Sequence, residues 1–148
     1  MKKLLALSMI SVFVSLGTVQ PALASSEVRM KTDAITVWVP KVIKAPKAGC
    51  AEVPVRYRWD NYYSSNTGAV VTLYDKKDFI VGDVDIDVAT SEARGVVTMK
   101  ICAERWLDEA GIPVFPVKRG LRTIDLWVID DGNHKGWFSD AASKVRIR

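Results

Sequence analysis

The sequence is short of several things, and each shortage excludes something. After residue 24 there are only four leucines, against 17 valines and nine isoleucines. That argues against a helical domain, because helices of this size lean on Leu and Ala, whereas β-branched side chains suit a pleated sheet. One histidine and two cysteines are too few soft ligands for a zinc centre. Past residue 24 no apolar run approaches the roughly 20 residues of a membrane-spanning helix. Neither sign of charge dominates: 21 Lys and Arg stand against 17 Asp and Glu, mixed along 148 residues. This excludes the basic stripe of a nucleic-acid binder. Gly and Pro, at nine and six, are too ordinary for a collagen-like or low-complexity chain.

What is present begins with an address. Lys2 and Lys3 precede an apolar stretch from Leu4 to Leu16, which Gly17 and Pro21 interrupt before Ala22-Leu23-Ala24. A positive start, a short apolar core and small residues before a cut form the layout of a secretory signal peptide, with cleavage expected after Ala24. Ser25 follows the cut instead of Cys, so no lipid anchor is indicated and the protein is expected to be secreted, extracellular and free of a membrane span. Removing the leader takes away two lysines and no acidic residue, so the net charge falls from +4 to +2. The remainder suits one domain. The organisation read from it is a signal peptide over 1–24, a flexible tail over 25–33 and a single domain over 34–148. In an oxidising compartment, Cys50 and Cys102 read as one disulfide, with a pair of free thiols as the alternative.

Seven segments alternate apolar and polar residues with period two, the mark of a strand with one buried face. They centre on Ile35/Val37/Val39, Val53/Val55/Tyr57/Trp59, Val71/Leu73, Val84/Ile86/Val88, Val97/Met99/Ile101, Ile124/Leu126/Val128 and Val145/Ile147. Polar turns separate them, among them Asp75-Lys76-Lys77-Asp78 and Asp130-Asp131-Gly132-Asn133. The stretch 103–110 reads as a loop with room for one helical turn, stopped by Gly111 and Pro113. Val114-Phe115, between two prolines, reads as irregular chain or a short edge strand. Seven short strands without crossover helices predict two antiparallel sheets packed face to face, with a small barrel as the fallback. The cysteines share the polar parity of their strands, so their bridge is expected off the core face or at the strand ends. Pro54 is a candidate bulge that would switch parity.

The run Cys50-Ala51-Glu52-Val53-Pro54-Val55-Arg56-Tyr57, then Val70 to Asp75, Gly95 to Cys102 and Thr123 to Asn133, resembles secreted bacterial Ig-like (fibronectin-III-like) domains, including small exported proteins of actinobacteria. The resemblance implies an all-β, Ig-like antiparallel β-sandwich of about seven strands with one disulfide. It brings no catalytic residues with it, since such folds host many functions.

No nucleophile elbow, zinc helix motif or phosphate-binding glycine loop is present. His134 sits among Gly132, Asn133, Lys135 and Gly136, a turn residue rather than a member of a triad. Asp83, Asp85 and Asp87 alternate along a strand, ~6.5 Å apart, too far to share one calcium ion unaided. They read as a solvated face paired with cross-strand Lys or Arg. The aromatics are the better candidates. Trp59, Tyr62, Tyr63 and Trp137 lie at strand ends and loops, where rigid rings can stack on sugars or anchor a protein; the competing reading has Trp59 and Trp137 closing the core. Trp38 and Trp127 lie on the polar parity, where an outer aromatic pair is conceivable. The sequence thus predicts a monomeric, non-enzymatic module without metal or cofactor that binds an extracellular protein or polysaccharide. A loop-inserting inhibitor or toxin-like effector, with Asp60 to Gly68 as its loop, and a small hydrolase are the alternatives.

Overall fold

The structure, a computed structural model, describes residues 26–61, 66–130 and 136–148, with the backbone alone at 130 and 136–139. The segment expected to be a signal peptide, Tyr62, Tyr63 and His134 lie outside the described residues, as does the side chain of Trp137. No helix occurs among the described residues.

The seven expected strands are all present: β2 (Ile35–Pro40), β4 (Cys50–Trp59), β5 (Thr67–Tyr74), β6 (Ile80–Asp87), β7 (Arg94–Cys102), β10 (Gly120–Asp130) and β11 (Gly136–Ile147). Four shorter ones join them: β1 (Glu27–Lys31), β3 (Val42–Ile43), β8 (Trp106–Leu107) and β9 (Pro113–Val114). One sheet has the order β1-β2-β4-β7, the other β3-β11-β10-β5-β6, and β8-β9 form a separate ribbon. All pairings are antiparallel except β3 with β11. In the lettering of immunoglobulin-type sandwiches, β2, β4 and β7 stand where A, B and E stand, and β11, β10, β5 and β6 where G, F, C and C′ stand. The core fills the space between: Val37, Val55, Met99 and Ile101 from the first sheet meet Val71, Leu73, Ile86, Ile124, Leu126 and Val128 from the second, all fully buried.

Four expectations are corrected. The segment 25–33, expected as a flexible tail, contains β1. Its pattern is too short to stand out, yet Met30 is buried, Val28 packs against the core, and Glu27 grips Arg56 across the sheet. The 103–110 stretch holds no helical turn. The Asp108 amide donates to the Ile112 carbonyl, the Ile112 amide donates back to Asp108 Oδ1, the Gly111 amide donates to the Asp108 carbonyl and Gly111 adopts φ 77°, so the chain makes a hairpin between β8 and β9. Pro54 makes no bulge, for β4 and β7 keep one register from Cys50↔Cys102 to Arg58↔Arg94. The Trp59 amide donates to the Ala93 carbonyl and the Gly49 carbonyl accepts from Ala103, so odd-numbered backbone groups of β4 face β7 and even-numbered ones face away. Pro54 therefore lacks its N–H on the side where β2 pairs with β4 only as far as Arg56. That is a place where proline costs no ladder bond and discourages edge pairing. Fourth, Trp38 and Trp127 do not pair, because they project from opposite outer faces.

Cys50 and Cys102 are bonded and sit directly opposite each other, with Cα atoms 4.0 Å apart. The bridge ties the start of β4 to the end of β7 within one sheet, at the strand ends, and is not a bond between sheets.

Candidate functional site

The two sheets leave an open side where edge strand β6 lies against edge strand β7. Gly82 permits this approach, since a Cβ there would sit 2.8 Å from Ile101 Cγ2 and 3.0 Å from the Lys100 carbonyl oxygen. After Cys102 the chain folds the β8-β9 ribbon over this side. The ribbon is fastened by amide hydrogen bonds from Phe115 to Ile80 O (2.8 Å) and Val117 to Cys102 O (3.0 Å), and by Phe115 stacking on Phe79 at 4.6 Å. The result is a cleft of about 820 Å³ lined by Asp83, Val84 and Asp85 of β6, Thr98 and Lys100 of β7, and 106–110 of the ribbon, which bring Trp106, Asp108 and Glu109.

The electrostatics of this cleft are one-sided. Four carboxylates converge, and none of them belongs to an ion pair, the described ion pairs being Arg56–Glu27 and Arg58–Asp60. Lys100 is the one cation of the lining, and its Nζ lies 4.3 Å from the centroid of the Trp106 ring, where the negative face of the indole attracts it. Burial pushes the Asp83 carboxyl above its ordinary range, with repulsion from Asp108 and Asp85 adding to it. Reduced hydration does the same to Asp85, helped by Asp87, Asp108 and Glu109. The expected cross-strand cations are missing: Asp83, Asp85 and Asp87 face Thr72, Val70 and Gly68 on β5. The Trp106 indole N–H is buried without an acceptor. Among the described residues no group of acidic, His or Cys side chains is arranged to hold a metal ion.

The aromatic candidates fare differently. Trp59 is 8 % exposed and closes one end of the core, so in this structure it turns no open ring face to a ligand; its indole N–H too has no partner. Tyr62, Tyr63 and the Trp137 side chain fall outside the described residues. Trp106, known from sequence only as a loop aromatic, is the ring that the fold brings into the cleft. Asp108, Glu109 and Lys100 carried no signal of their own; an acidic pair next to a tryptophan, in a chain that already carries Asp-x-Asp-x-Asp, is the nearest thing to one.

No protein-family model matches the sequence, and no curated protein matches it significantly. Among solved structures, an FMN-binding beta-glucuronidase from Facaelibacterium prausnitzii L2-6 is similar over 78 % of this chain at 9 % identity and a TM-score of 0.44. The aligned part is 15 % of that enzyme's length, so this chain spans only a small fraction of it.

Proposed function

We propose that this protein is an exported, non-enzymatic binding module, and that its cleft receives a cationic segment, rich in Lys or Arg, of another extracellular protein. The observation that carries this reading is the set of four carboxylates, Asp83, Asp85, Asp108 and Glu109, gathered in one cleft without an ion-pair partner. Carboxylates held close together in partly dehydrated surroundings repel one another. A bound cation relieves that repulsion, and a neighbouring indole offers it a second attraction. Export rests on the leader-like start of the chain and the disulfide.

The test is titration of the oxidised protein with a short Lys/Arg-rich peptide, followed by calorimetry and tryptophan fluorescence. Saturable binding that weakens with salt, and falls about tenfold or more in Asp83→Asn/Asp85→Asn, is expected. Absence of binding, or binding indifferent to both substitutions, would reject the cationic ligand.

One observation favours a second reading, a glycan. The Trp106 ring lining the cleft beside several carboxylates offers an aromatic surface and acceptors to a sugar and its hydroxyls. Retention on insoluble polysaccharide, reversed by free sugar and lost in Trp106→Ala, would assign the glycan to the cleft. Loss in Tyr62→Ala/Tyr63→Ala instead would assign it to the 60–68 loop.

A further inference from the structure

We infer that the protein stacks on itself head to tail, the outer face of one sheet docking on the opposite outer face of a second copy. The occupant follows from charge complementarity present within one molecule; Asp83 and Asp85 border both the cleft and this face, so the acidic positions substituted in the test lie outside the cleft.

The outward side chains of the β1-β2-β4-β7 sheet are predominantly basic. Its central row runs Arg29–Trp38–Arg56–Val96 across the four strands, and the next row runs Lys31–Thr36–Arg58–Arg94. The Arg56 and Arg58 guanidinium groups lie 5.1 and 5.9 Å from the Trp38 ring centroid. Each has one carboxylate, Glu27 and Asp60, while Arg29 and Arg94 have no ion-pair partner among the described residues. Val96 is 62 % exposed.

The outward side chains of the other sheet are acidic in the corresponding place. Its central row runs Asp85–Val70–Trp127–Asp140, flanked by Asp83–Thr72–Asp125 and by Asp87. Asp125 keeps one carboxylate oxygen buried and unpartnered, and burial together with Asp140 pushes its carboxyl upward. Lys144, at the end of this face, donates to Thr123 at 2.5 Å.

Each face therefore offers a row with one tryptophan, one valine and two charged residues, with the signs opposed. Two basic faces repel, as do two acidic ones, so a two-fold symmetric dimer through either face is disfavoured. The faces lie on opposite sides of two sheets stacked ~10 Å apart, so a copy bound at one cannot reach the other. The contact is thus heterologous and open-ended. A patch four strands wide and four or five residues long is only ~15–20 Å on a side, below the area of stable complexes and in the class of weak, salt-sensitive ones.

The test is sedimentation of the oxidised protein at about 0.5 mM, in about 20 mM and then about 500 mM salt. The expected weight-average mass exceeds the monomer's at low salt, grows with concentration, and returns to the monomer at high salt. Arg56→Gln/Arg58→Gln, which also leaves Glu27 and Asp60 uncompensated, is expected to remain monomeric alone. Asp87→Asn/Asp140→Asn, outside the cleft, is expected to do the same. An equimolar mixture of the two variants retains one good face of each kind and should form 1:1 dimers and nothing larger. All four positions are exposed, and circular dichroism verifies folding; if the first variant does not fold, Arg29→Gln/Arg94→Gln replaces it. A wild-type monomer at low salt overturns the inference. So does a variant that associates as the wild type does; a basic face serving only a foreign anionic polymer would give the first of these outcomes.

Discussion

Carboxylates serve opposite ends on the two halves of this sandwich. On the outer face of the β1-β2-β4-β7 sheet the two carboxylates beside the arginine row are claimed, and only Glu52, nearer the disulfide, has no ion pair among the described residues. Glu27 is held by Arg56 and raises that guanidinium's pKa, while Asp60 accepts from Thr36 Oγ1 at 2.5 Å and from Arg58 at 2.8 Å. The Thr36 hydroxyl, with Arg58 and Lys31 assisting, holds the Asp60 carboxyl below its ordinary range. On the other sheet and in the cleft, Asp83, Asp85 and Asp125 shift the other way, because burial and like charges surround them. The same residue type stabilises the first region when ionised and strains the second. Unrelieved charge next to a cavity is where a partner has most to gain.

The largest expected effect removes the frame that both regions share. Cys50→Ser/Cys102→Ser releases a crosslink across 52 positions and is expected to lower stability by about 4 kcal/mol on the chain-entropy account. Denaturant unfolding, compared with the oxidised wild-type protein and with the reduced one as control, checks this, and a midpoint unchanged from the oxidised parent's would show that the β4-β7 ladder holds without the bond.

A smaller change separates the regions. Asp60→Asn loses charge-assisted bonds to Arg58 and Thr36 and should cost about 1 kcal/mol near neutral pH. The folded pKa is depressed, so the stabilisation is present above the unfolded carboxylate's pKa and lost as pH falls through the folded one. Thermal melts of the variant and the parent should therefore converge in acid.

Asp83→Asn should act with the opposite sign, raising stability by about 0.5–1 kcal/mol, or a few degrees in Tm. Here the folded pKa is raised. Below the ordinary carboxylate range both states are protonated and the substitution gains nothing. As pH rises through and beyond that range the unfolded state ionises first, the parent loses stability, and the variant's advantage grows. Melts at acid and neutral pH read the difference; a destabilised Asp83→Asn at neutral pH would mean that the carboxylate has an unrecognised partner.

Much of the fold was legible because alternation reports which side chains turn inward. Val53, Val55, Tyr57 and Trp59 are buried where Arg56 and Arg58 are exposed, as their spacing indicates. Parity does not say to which sheet a strand belongs. Trp38 and Trp127 share outward parity, but β2 and β10 lie in different sheets, and so two rings that looked like a pair head two faces. Short strands were missed for another reason. β3 exists by parallel pairing with β11, more than a hundred residues away, and two residues carry no period. The cleft was illegible on the same ground, since Asp83 and Asp108 meet only through the ribbon's return over β6.

The cysteine pair carries a consequence for which pairings the sheet can hold. Cys50 is an even-numbered residue of β4, its backbone groups turned away from β7, and it stands face to face with Cys102 in the closely spaced kind of antiparallel pair. A slip of one residue would put the two thiols on opposite faces, and a slip of two would carry them ~7 Å apart along the strand. Once formed, the bond is therefore compatible only with the one register of β4 against β7, and it excludes the slipped pairings from the closed sheet.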